Sequence, residues 1–106
     1  MEEQTEILVI GTHPQILETV LRLLNKVESW NATGVSSPHE ALEQAKSQSY
    51  QVLLLGAGLE DEDEDALTQE IRKIQPGIHV IPHYGGGSGL LYAEIYLALG
   101  IRNQAQ

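Results

Sequence analysis

The sequence predicts an α/β fold, an open parallel sheet of about four strands with helices on both faces, in a single domain of 106 residues. Three observations carry this expectation. Short apolar runs alternate with stretches of helical periodicity along most of the chain. The run Val52, Leu53, Leu54, Leu55 lacks period-two alternation, the mark of a strand covered on both faces. The first and third runs stop at glycine, Gly11 and Gly56. Strands spaced in this way are joined by right-handed crossovers. The stretch that organises the chain is YQVLLLGAGL, residues 50–59. In an open parallel sheet, reacting groups sit just past the carboxyl ends of the strands, and here that position carries glycine.

The elements follow in order. Residues 1–5 read as a frayed tail and residues 6–10 as the first strand. Thr12 with Gln15 fits a capping box, and Pro14 suits a first helical turn. That helix is expected over residues 14–27, with Leu17, Val20, Leu21, Leu24 and Val27 inward and Ile16 beside them. Residues 29–35 read as a polar edge strand. Ser37, Pro38 and Glu40 make a strong helix start, and the helix to residue 47 should bury Ala41, Leu42 and Ala45. After the strand at 52–55, six consecutive acids from Glu60 to Asp65 read as a solvated, mobile loop. A helix over 65–74 then buries Leu67, Ile71 and Ile74. Residues 78–83 form a fourth strand, placed at or near an edge by Pro82. A glycine-rich loop spans 84–89 and a last helix 90–99.

Composition excludes several functions. A hydrophobic content of 42% with 20% charged residues is that of a globular domain. The net charge of −9 repels phosphate backbones and anionic lipid, so neither nucleic acid nor a membrane surface is expected as a partner. With no cysteine there is no disulfide, thiolate metal site or cysteine nucleophile. The start MEEQTE lacks the basic and apolar regions of a signal peptide, and the expected location is cytoplasmic. The triplet Asn31, Ala32, Thr33 is read as a chance match to a glycosylation acceptor.

The motifs that could carry chemistry are few. The acidic run could hold a divalent cation or dock a basic partner, but it lacks the turn glycine and alternating spacing of a calcium loop. Gly85, Gly86, Gly87, Ser88 and Gly89 precede a helix and could cradle an anion, without a P-loop lysine or a GxGxxG pattern. No Ser/His/Asp arrangement is present, and Ser88 does not lie in a GxSxG elbow. No enzyme activity, metal or cofactor is expected from these patterns.

Three stretches resemble the receiver domains of bacterial two-component response regulators, themselves flavodoxin-like. EILVIGTHPQILETVLRLL is similar to their first strand and helix, SSPHEALEQAKSQSYQVLLL to their second helix and third strand, and EIRKIQPGIHVI to their third helix and fourth strand. The resemblance covers residues 6–100 and implies a three-layer sandwich with strand order 2-1-3-4. It implies five chemical positions. An acid pair for magnesium falls on Gly11 and Thr12, the phosphoacceptor aspartate on Gly56, and the Ser/Thr on Tyr84. The fifth strand and its lysine fall past the last residue. Magnesium needs hard oxygen ligands, where glycine offers only backbone, and an acyl phosphate needs a carboxylate, which Gly56 lacks. His13 and His83 both lie near strand ends, but that order sets the ends of strands one and four roughly 10 Å apart at ~4.8 Å per strand. They, with His39 and His79, read as surface or half-buried histidines.

The reading is therefore a non-catalytic, receiver-like signalling domain that works through protein partners. The alternative is a small flavodoxin-like domain binding phosphate or a nucleotide on residues 84–89. A metal enzyme using His13 and His83 ranks third. The last helix, LLYAEIYLAL, carries one charge, Glu94. With Leu91, Ile95, Ala98 and Leu99 toward the sheet, Leu90, Tyr92, Tyr96 and Leu97 are left over. A helix apolar around most of its circumference is buried on more than one side. A homodimer through this helix and the fourth strand is predicted. Sedimentation at micromolar concentration should give twice the monomer mass, and Leu97→Glu with Tyr92→Glu should halve it.

Overall fold

The computed structural model describes residues 5–56, 59–81 and 95. Strand β1 (Thr5–Ile10) pairs in parallel with β2 (Trp30–Val35) and with β3 (Val52–Leu55), and β3 pairs in parallel with β4 (His79–Ile81). The strand order is β2-β1-β3-β4, as expected. The connections hold α1 (Pro14–Leu24), α2 (Pro38–Ser47) and α3 (Asp61–Ile74).

The uninterrupted apolar runs of β1 and β3 serve two cores. Ile7, Val9, Val52 and Leu54 pack with Val20 and Leu24 of α1, with Trp30 and Ile81, and with the helical residue Ile95. Leu8, Ile10, Leu53 and Leu55 pack on the opposite face with Ala41 and Ala45 of α2 and Leu67 and Ile71 of α3. Successive strand side chains point to opposite faces, so a strand buried on both must be apolar throughout. At the edge of the sheet, β2 can be polar. Its Gly34 lets α1 lie close, because a Cβ there would meet Leu21 Cδ1 at 2.6 Å and Leu17 Cδ1 at 3.2 Å.

Three helix ends differ from expectation, each for a local reason. At the start of α1 the capping box of Thr12 and Gln15 does not form. His13 is the N-cap, its side chain makes no capping bond, and Thr12 is exposed. Helix α1 stops at Leu24 rather than near residue 27, because Lys26 N donates to Leu23 O and Val27 N to Leu24 O, the tightened bonds of a finishing turn. Val27 still packs against the core, while Ile16 lies outside it, 49% exposed.

The third difference is the largest. The acidic run is not a loop: α3 begins at Asp61, with Glu60 as N-cap and Asp61, Glu62, Asp63 and Glu64 in its first turn. The helix dipole favours anionic side chains there by ~0.3–1 kcal/mol each, against repulsion of ~0.2–0.5 kcal/mol per like pair one turn apart. Arg72 and Lys73 complement the other end.

Helix α2 starts as the sequence indicates. Ser37 Oγ accepts from Glu40 N at 3.2 Å. Glu40 Oε1 reaches one residue further back than in the usual box and accepts from Ser36 N at 2.9 Å. Gln75, the C-cap of α3, fastens three elements. Its Oε1 accepts from Tyr50 N at 2.6 Å, and its Nε2 donates to Ala45 O at 2.8 Å and Gln48 O at 2.7 Å. The fourth strand is assigned over His79–Ile81, within the expected 78–83. Of the expected last helix only Ile95 is among the described residues.

The two readings of the acidic run make opposite forecasts for Asp65→Pro. At a first helical position proline is favourable. In a helix running from Asp61, residue 65 is interior, and proline costs about 3 kcal/mol. A thermal melt should show the variant strongly destabilised.

Candidate functional site

The register of β1 on β3 creates the carboxyl edge where a site is expected. Ile10 lies opposite Leu55, so Gly11 and Gly56 are the next residues on adjacent strands. Gly56 N donates to Ile10 O at 2.8 Å, and Gly11 N donates to Val35 O at 3.1 Å. Both glycines are buried, whereas Thr12 and His13 are exposed. The structure thus brings Gly11, Thr12 and Gly56 to one edge. These three residues offer one hydroxyl and otherwise backbone. Packing does not force the first glycine: a Cβ on Gly11 would have Leu17 Cδ1 as its nearest neighbour at 3.9 Å, an ordinary contact.

Tyr84, the loop of Gly85, Gly86, Gly87, Ser88 and Gly89, the histidine His83, and Leu90, Tyr92, Tyr96 and Leu97 lie outside the described residues. His39 is exposed in the first turn of α2, and His79 is exposed at the start of β4. Among the described residues no group of three or more His, Cys, Asp or Glu is placed to hold a metal ion. The acids of α3 point in different directions, since successive helical residues turn by ~100°.

Sequence reasoning missed Glu64. It is 5% exposed, the one buried charged side chain among the described residues. It lies on the face of α3 that carries Leu67 and Ile71, three and seven residues later. That spacing was the available signal, hidden by starting the helix at residue 65, four residues too late. The dipole of α3 favours its negative charge.

No protein-family model and no curated protein matches the chain. Solved structures do. A CheY-like response regulator receiver domain protein from Methanospirillum hungatei superposes with a TM-score of 0.79 at 15% identity, over 98% of this chain and 100% of that one. A two-component response regulator from Clostridium difficile gives 0.76 at 19% identity, over 94% and 99%. The receiver domain of a sensor histidine kinase from Pseudomonas aeruginosa, solved with magnesium in its active-site cleft, gives 0.78 at 18% identity, over 92% and 98%. The chain has the fold of response regulator receiver domains.

The geometry at His13 generates a prediction. Its backbone is in the extended N-cap conformation, φ −104° and ψ 108°, without a side-chain acceptor for the free amides of α1. Replacing His13 with Ser or Asp supplies one and should raise stability by about 1 kcal/mol in a denaturant titration.

Proposed function

We propose that this chain is a receiver-fold signalling domain that acts through contact with protein partners and carries out no phosphoryl transfer of its own. The observation that carries this reading is Gly56, buried directly after β3 with Gly11 beside it. The resemblance aligns Gly56 with the phosphoacceptor aspartate, Gly11 and Thr12 with the magnesium-binding acids, and Tyr84 with the Ser/Thr. A carboxylate must attack phosphorus while the donor's leaving group departs, and Gly56 has none. Magnesium takes carboxylate and water oxygens in near-octahedral array, and the donor set of Gly11, Thr12 and Gly56 does not fit it.

What remains is a surface for partners. The net charge of −9 and the exposed acids at the start of α3 favour a partner with a basic surface over nucleic acid. Among the described residues no helix is long and apolar enough to cross a membrane. A cytoplasmic location and a homodimer through Leu90, Tyr92, Tyr96 and Leu97 complete the reading.

Incubation with a small phosphodonor and magnesium, followed by intact mass measurement, should leave the mass unchanged. A stable phosphoryl gain mapped to Glu60–Asp65 would overturn the reading. Because Gly11 has room for a side chain, Gly11→Asp, Thr12→Asp and Gly56→Asp combined should confer magnesium binding by calorimetry, and the wild type should show none.

A further inference from the structure

The free edge of β2 is closed by a side chain. Thr5 N donates to Ser29 O at 2.7 Å and Gly11 N to Val35 O at 3.1 Å, so the odd-numbered residues of this strand turn their backbone groups toward β1. With a period of two, Trp30, Ala32 and Gly34 turn theirs away from the sheet. Such an outward row is a template for another strand. Here most of it is occupied from within the chain. Trp30 N donates to Val27 O at 2.9 Å. Ala32 N donates to Asn25 Oδ1 at 2.9 Å, and Asn25 Nδ2 donates to Ala32 O at 3.4 Å. The amide of Asn25 thus pairs with both outward groups of Ala32, as one residue of a neighbouring strand would. Its orientation is fixed, because only the oxygen can accept from the Ala32 N–H. Asn25 is held in place as the C-cap of α1, its own N–H bonded to Leu21 O.

We propose that Asn25 is an edge lock: its amide blocks strand addition at β2, and its removal opens that edge to the β2 of a second copy. Among the described residues, an added strand now meets one intact outward pair, that of Gly34, which cannot sustain a ladder alone. With Asn25 gone, Ala32 and Gly34 present consecutive pairs, and two such edges can join about a two-fold axis. Any partner of the wild-type domain therefore binds elsewhere than this edge.

The test uses the full chain with amide hydrogen exchange and sedimentation. In the wild type, the Ala32 amide should exchange at least about tenfold more slowly than that of Gly34. In Asn25→Ala that difference should vanish, while Asn31 and Thr33, which face β1, stay protected. The variant should form a higher-mass species absent from the wild type at the same concentration. Adding Ala32→Pro, which removes the outward donor at a position where an edge strand tolerates proline, should return the mass to the wild-type value. If Asn25→Ala folds poorly, Asn25→Gly serves, since glycine is tolerated at a helix end and offers Ala32 no side-chain group. The proposal is overturned if Ala32 exchanges like Gly34 in the wild type. It is equally overturned if both Asn25 variants keep the wild-type mass, or if the gain survives Ala32→Pro.

Discussion

Pairing of β1 with β3, buried on both faces, is the constraint on which the remaining structure depends. Ile7, Leu8, Val9, Ile10, Val52, Leu53 and Leu54 are fully buried. Truncating one such leucine costs ~2–5 kcal/mol. The ion pair of Lys73 with Glu70, whose side chains are 72% and 54% exposed, is in the class worth ~0–1 kcal/mol. Apolar pattern therefore decides which elements meet, and polar groups decide how they are held. Gln75 illustrates the second role: one side chain satisfies three backbone groups where α2, α3 and the entry to β3 converge. Because β1 and β3 run parallel and in register, both end at the same edge, and whatever follows Ile10 and Leu55 must be neighbours.

That register explains how much of the molecule was legible in the sequence. The limits of β3 and the start of α2 follow from local chemistry, a glycine stop in one case and a Ser cap in the other. The adjacency of Gly11 and Gly56 follows once two strands are recognised as parallel and central. The start of α3 was not legible, because a run of like charges with modest helix propensity reads as loop. Packing of Leu67 and Ile71 and the dipole of α3 override it. Glu64 was lost with that boundary, since which acid faces inward depends on where the helix starts. Asn25 was invisible for another reason: its amide serves a strand seven residues later, and no linear pattern encodes a side chain standing in for backbone.

The likeness to receiver domains at 15–19% identity fits this division. What the fold requires is apolar character in two alternating sets, a requirement many sequences meet. Residues at the carboxyl edge are not part of it. Gly11 has space for a larger side chain, and Thr12 is exposed, so the edge can change its chemistry while the sheet stays as it is.

The division of the core by the sheet has a consequence for how the domain transmits a disturbance. Leu8 and Ile10 belong to one apolar cluster and Ile7 and Val9 to the other, so the backbone of β1 is the wall between two compartments. A partner that shifts α3 displaces Leu67 and Ile71 against Leu53 and Leu55, and between these clusters the disturbance reaches α1 by moving the strands themselves. Tightly packed strands deform little. A push on α3 is therefore passed to the α1 side by displacement of β1 and β3 as a unit, since a close-packed interior transmits strain rather than absorbing it.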